Sequence, residues 1–184
     1  MNLWLRLLGL LLFRRRRPVD LMATTRVRLR VWPNDLDLNF HVNNGRYLTL
    51  ADLGRIDWFL RTGLLQRARR EKALPIVGDA MAKFRRDLRV FQRFEIHTRL
   101  LGWDERWGFL EHRFVRGGRV LGVVIARGLF RGPDGTLRPQ ELMAAGARGG
   151  SPPLPEWLLH WHRGTEGLSA ALRIEEGRAP APAA

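Results

Sequence analysis

At 184 residues, 45% of them hydrophobic, the chain can bury one core, and no internal repeat or low-complexity boundary divides it. The absence of cysteine excludes disulfides, a thiolate nucleophile and any cysteine-based zinc site, and leaves the redox compartment open. A formal charge of +14 raises nucleic acid as a partner, but no helix-turn-helix, zinc-finger or aromatic RNA-binding signature accompanies it, and a phosphorylated small molecule uses the same positive field; no nucleic-acid partner is expected.

Residues 1–18 read as an apolar and basic leader. Leu3–Phe13 is apolar apart from Arg6, and arginines at 14–17 with Pro18 close it. A bilayer core takes roughly 20 apolar residues, so the run is too short to span. A secretory signal places its charges before the apolar stretch, whereas here they follow it. The segment reads as an interfacial anchor, with residues 3–17 against an anionic membrane surface and the domain on the cytoplasmic side, peripherally attached and independent of the leader. A disordered basic leader, or a helix docked on its own domain, is the alternative.

Alternation from Thr24 to Val31 predicts a strand, with Arg26, Arg28 and Arg30 on a solvated face or edge, and Pro33 stops it. Next comes Asp35-Leu36-Asp37-Leu38-Asn39-Phe40-His41-Val42-Asn43-Asn44-Gly45-Arg46-Tyr47. If this segment is extended, Asp37, Asn39 and His41 share one side and Leu38, Phe40 and Val42 the other. A carboxylate, an amide and an imidazole then converge just ahead of a helix capped by Asn43 or Asn44, whose Tyr47, Leu50, Ala51, Gly54 and Trp58 recur at helical spacing before an end near Gly63. Free amides and the positive dipole end at such a start favour developing negative charge, so these are parts for acyl transfer. A calcium loop is excluded because its sixth position is Phe40 and its twelfth Arg46. The two serines, Ser151 and Ser169, lie outside any Gly-x-Ser-x-Gly elbow, so hydrolysis would run on carboxylate, histidine and water.

A charged surface connection is expected over residues 67–72, then strands over 76–90, 94–103, 107–116 and 119–130. Gly117-Gly118 is a two-residue hairpin turn, and Asp104-Glu105-Arg106 a longer one. The domain therefore covers residues 24–130. Residues 131–176 read as loop and short helices: a turn at 132–135, a Gly/Pro-rich loop at 146–155, and helices at 156–162 and 168–175. A flexible tail at 177–184 closes the chain. His97, His112, His160 and His162 are read as packing or surface residues, since none has metal-pair spacing.

The segment from Asp35 to Tyr47 resembles the Asp-Leu-Asp-x-Asn-x-His-Val-Asn-Asn-x-x-Tyr signature of hotdog-fold acyl thioesterases, as in the plant acyl-acyl-carrier-protein thioesterases and the 4-hydroxybenzoyl-CoA thioesterase-like group. Leu100-Leu101-Gly102-Trp103-Asp104-Glu105-Arg106, followed by Leu110-Glu111-x-Arg113-Phe114-Val115, is similar to the thioesterase superfamily member six branch. The likeness spans about residues 25–130 and, more weakly, 155–173. It implies an α+β fold, a single hotdog domain with an antiparallel sheet wrapped around one long central helix and a short helical C-terminal extension; the predicted element order agrees. It also implies an acyl-CoA or acyl-carrier-protein thioesterase without cofactor or metal, a homodimer or dimer of dimers, and an acyl tunnel at or near the subunit interface.

Carried over by position, Asp37, Asn39 and His41 match the family's Asp, Asn and His. The family's glutamate after Tyr-Arg-Arg becomes Asp87 after Phe84-Arg85-Arg86, one methylene shorter and equally readable as an ion-pair partner of Arg85 or Arg89. Asp52 is similar to the helix carboxylate of other hotdog thioesterases. Asp37 is then general base or direct nucleophile, Asn39 orients it or the water, and His41 shares proton transfer. Asn43, Asn44, Gly45 and Tyr47 form the substrate-binding set, with amides around Asn44 and Gly45 polarising the thioester carbonyl. A non-catalytic acyl-CoA or lipid-binding hotdog protein and a hotdog dehydratase are the competing functions.

Overall fold

The computed structural model describes residues 3–13, 17–143 and 150–177. The arginines at 14–16, part of the Gly/Pro-rich loop and residues 178–184 of the tail lie outside the described residues. The chain divides into two compact units, Met1–Pro152 and Pro153–Ala184. The first begins with α1 (Leu3–Phe13), β1 (Thr25–Arg30), a 3-10 turn (Pro33–Asp35), α2 (Asn44–Arg61) and α3 (Leu64–Arg70). It continues with β2 (Leu74–Phe84), β3 (Arg93–Trp103), β4 (Gly108–Arg116), β5 (Arg119–Gly132), β6 (Gly135–Leu137) and α4 (Pro139–Met143). The second unit is α5 (Glu156–Glu175).

The sheet is antiparallel throughout, in the order β1-β3-β4-β5-β2 with β6 on β5. The meander β3-β4-β5 is built on local hairpins. Gly117 and Gly118 take φ of 55° and 74°, the left-handed pair that matches the twist of two flanking strands. The sheet wraps α2, whose Tyr47, Leu50, Ala51, Leu53, Gly54 and Trp58 are buried. Helix and sheet touch most closely at Gly54, where a Cβ would lie 2.5 Å from Thr98 Oγ1 and 2.9 Å from Ile96 Cγ2, so only glycine fits. The core forms in two parts along the helix. Val27, Val42, Tyr47, Leu50, Ile96 and Phe114 gather around its first half. Trp58, Leu100, Trp103, Leu110 and Phe130 gather around its second.

Several elements differ from the sequence reading. The strand expected over 76–90 ends at Phe84, because Arg85 and Arg86 both donate their N–H to Leu121 O and the chain then turns, with Phe91 at φ 61°. Residues 64–70 form α3 rather than plain surface connection, with Leu64 and Ala68 buried. The two short helices expected at the C-terminus are one 20-residue helix that runs through Gly164 and Gly167. Each glycine costs about 1 kcal/mol against alanine in a helix, a penalty the continuous hydrogen-bond ladder outweighs. Arg26 and Arg28 lie exposed on edge strand β1, as alternation predicts, with Arg28 Nε 2.9 Å from Glu95.

The leader is the main correction. No helix among the described residues is long and apolar enough to cross a membrane. Instead of standing apart from the domain, α1 packs on it: Leu10 is buried, Leu3 and Leu7 lean on the first core cluster, and Arg6 is buried in an ion pair with Asp35. The opposite face leaves Trp4, Leu5, Leu8, Leu11 and Leu12 exposed. The single charge inside the apolar run was the sequence signal for the docked alternative.

Candidate active site

The site loop is a tight turn. Leu36 bridges Val42, Asp37 N–H donates to His41 O at 2.9 Å, and Phe40 N–H donates to Asp37 O at 3.1 Å. The extended reading is therefore corrected. Val42 is buried, as it predicts, but Leu38 is 97% and Phe40 77% exposed, and Phe40 sits at φ 59°. A non-glycine residue there costs about 1 kcal/mol or more. The polar groups meet because the turn folds them together, not because they alternate.

Asp37 Oδ1 accepts the Asn39 N–H at 2.9 Å and the His41 N–H at 3.4 Å. These bonds fix the carboxylate and leave Oδ2 for another partner. His41 Nε2 lies 3.3 Å from Asp87 Oδ2, while Arg89 stands 3.9 Å from the same oxygen. Asp87 thus touches both candidates of the sequence reading and is nearer the imidazole. Val42 N–H donates to Leu88 O at 2.9 Å, which ties the loop to the segment that carries Asp87.

Asn43 caps α2: its side chain accepts the Gly45 N–H at 2.8 Å. That bond engages the Gly45 amide, which corrects its expected role as an oxyanion donor. Asn44, at the first helical position, lines the cavity, and an amide of the first helical turn has no intrahelical acceptor. Tyr47 is buried against Phe84 and Phe114, and burial together with the Asp87 charge raises its hydroxyl to about 12, so it stays protonated. Asp37, Asn39, His41, Asn44, Tyr47 and Asp87 line one cavity of about 380 Å³, whose remaining wall includes Phe84, Arg85 and Arg86.

A second cavity of about 250 Å³ lies against the later half of α2. Pro75, Ile76, Val77, Leu100, Leu110 and Phe130 make it apolar, with Asp52 and Arg55 as its charged members. Burial raises Asp52 against the pull of Arg55, with which it pairs. Asp52 therefore belongs to this cavity and not to the Asp37 cluster. Between the two regions His112 is fully buried, Nδ1 3.0 Å from Thr98 Oγ1; burial, then the Arg55 charge, holds it down at about 3.

Sequence reasoning assigned no role to Asp35. It is fully buried, and its carboxylate takes Arg6, the Trp32 N–H at 2.9 Å and Arg46 Nη2 at 2.7 Å. Burial pushes it up, but these donors outweigh burial and hold it below 3.8.

A family model described as the thioesterase-like superfamily matches residues 31–162. Protein THEM6 of Xenopus laevis is 36% identical over 149 residues, 80% of this chain and 71% of that protein. Among solved structures, YbaW, a probable thioesterase from Escherichia coli, superposes with a TM-score of 0.61 at 18% identity, covering 67% of this chain and 98% of its own. A 1,4-dihydroxy-2-naphthoyl-CoA thioesterase from Synechocystis gives 0.58 at 10% identity, over 67% and 95%. With sheet, central helix and motif loop arranged as described, the fold is a hotdog, and the chain belongs to the thioesterase-like superfamily.

Proposed function

We propose that the protein hydrolyses thioesters of coenzyme A or of an acyl carrier protein to the free acid and the thiol. The observation that carries this reading is the meeting of Asp37, Asn39, His41 and Asp87 around one cavity at the start of α2. Water held at Asp37 Oδ2 attacks the thioester carbonyl carbon while the carboxylate takes its proton. The Asn44 N–H and the positive end of α2 stabilise the oxyanion. The C–S bond breaks, His41 protonates the departing thiolate, and the proton on Asp37 returns to His41. Arg85 and Arg86 line the cavity and suit the carrier's phosphates. Superfamily membership supports thioester hydrolysis, and the structural neighbour from Synechocystis is named for a coenzyme A thioester. Thiol release from a panel of acyl-CoAs and acyl carrier proteins by purified protein is the test. Turnover of at least one is expected; binding without turnover of any selects the acyl-CoA-binding reading.

The working form in this reading is a homodimer or a dimer of dimers. Among the described residues β2 pairs along one edge only, with β5, and Leu74, Ile76, Val77 and Phe84 are exposed, the kind of edge that pairs with another copy. The apolar cavity takes Pro75, Ile76 and Val77 near one end of β2, and the catalytic cavity takes Phe84 at the other. Antiparallel pairing of two β2 edges sets each catalytic cavity beside the partner's apolar one, where an acyl chain can lodge. Sedimentation at micromolar concentration is expected to give a dimer or larger; a monomer contradicts it.

The exposed face of α1 serves in this reading as an interfacial anchor on an anionic, cytoplasm-facing membrane. Since the inner face packs on the domain, the test leaves it intact. Leu5→Glu with Leu8→Glu and Leu12→Glu is expected to abolish salt-sensitive binding to anionic liposomes. Undiminished binding sinks the anchor.

A further inference from the structure

The leader helix is joined to the catalytic loop through one buried charge. Asp35 closes the base of that loop: its carbonyl accepts the Asn43 N–H at 2.8 Å, so Asp35 and Asn43 form the neck from which the turn carrying Asp37, Asn39 and His41 projects. Its carboxylate fastens the neck to two helices and to the start of its own 3-10 turn. Arg46 Nε and Nη2, from α2, hold Oδ1 at 3.0 and 2.7 Å. The Trp32 N–H and Arg6, from α1, hold Oδ2. Arg6 Nη2 also reaches Arg30 O at 3.3 Å, at the end of β1.

Stability alone is a poor account of this pair. Arg6 Nε and Nη1 are buried without a hydrogen-bond partner, so the guanidinium is desolvated and only partly compensated. A buried ion pair of that kind is commonly no better for stability than apolar residues of similar volume, and its best-attested use is to fix register. The register fixed here is that of the loop neck.

We propose that Arg6 is a positioning residue: from the leader helix it holds, through Asp35, the neck of the loop that presents Asp37 and His41. The leader helix is then part of the catalytic apparatus, and its removal slows turnover. The effect on turnover rests on the hydrolytic reading of the Asp37 cavity, whereas the effect on the loop does not. Hydrogen exchange and kinetics on the full chain carrying Arg6→Gln separate the two. The amides of Asp37, Val42 and Asn43 are expected to exchange roughly tenfold faster or more, with amides of β3, β4 and β5 unchanged. Turnover of the best acyl-CoA is expected to fall about tenfold or more in kcat with little change in KM, the signature of a misplaced reacting group. Arg6→Lys, which keeps the charge, is expected to recover much of both. Unchanged loop exchange overturns the proposal, and so does faster exchange spread equally over β3–β5, which marks a general stabiliser. If Arg6→Gln does not fold, Arg6→Met fills the site without a charge and leaves Asp35 paired with Arg46, and the same exchange pattern decides. Faster loop exchange in a protein whose Asp37→Asn variant hydrolyses normally upholds the hold of Arg6 on the loop and rejects the catalytic role of Asp37 instead.

Discussion

Asp37→Asn is expected to lower kcat by roughly 10²-fold or more while leaving acyl-CoA binding intact, the scale of lost general-base catalysis. The substitution is informative because the loop can survive it. Asp37 Oδ1 accepts the Asn39 and His41 amides, and an asparagine oxygen at the same place accepts both. What disappears is the negative charge and the basic Oδ2. His41→Ala is expected to slow turnover. Asp87→Asn tests whether the 3.3 Å contact with His41 Nε2 orients the imidazole or merely accompanies the Arg89 pair. A large loss assigns Asp87 to the site, and a small one to surface structure. Steady-state kinetics with calorimetric binding of a non-hydrolysable acyl-CoA analogue measures all three. If Asp37→Asn folds, binds and hydrolyses at the wild-type rate, the assigned site is wrong.

How much of this was legible in the chain follows from the range of each interaction. The meander was readable because hairpins are local: Gly117-Gly118 and the alternation on either side suffice. Helix α2 was readable from Asn43 and the spacing of its buried face. Asp37, Asn39 and His41 line one cavity, but not for the geometric reason that alternation offers. Alternation assumes extended backbone, whereas the Leu36–Val42 bridge closes a turn that leaves Leu38 and Phe40 in solvent. Two other features depended on contacts far apart in sequence, which periodicity cannot see. One is Arg6 on Asp35, 29 residues away. The other is the placement of Asp52 in a separate apolar cavity, closed by strands that follow it in the chain.

His112 is such a long-range case, and it makes acid a specific probe of the fold. Its imidazole is fully buried beneath α2, shares a hydrogen bond with Thr98 Oγ1 and leaves Nε2 without a partner, so the packed protein accepts only the neutral ring. Burial, with Arg55 adding repulsion, depresses it from 6.5 to about 3. A depressed group binds fewer protons folded than unfolded, so its stabilising effect is complete above about 6.5 and is lost as the pH falls toward 3. Well inside that window each pH unit removes roughly 1.4 kcal/mol, so urea unfolding is expected to lose about 2 kcal/mol between pH 6.5 and 4.5. Asp35 and Glu95 have the same sign but, being depressed carboxyls, act only below their ordinary values of 3.8 and 4.5. Asp52, raised by burial, has the opposite sign: its neutral form is favoured in acid, which softens the slope. The discriminating measurement is the slope in His112→Gln, which keeps a polar group toward Thr98 and cannot titrate. That variant is expected to be less stable at neutral pH and nearly flat from 6.5 to 4.5. An equal slope in variant and wild type, or a flat wild type, removes His112 as the cause.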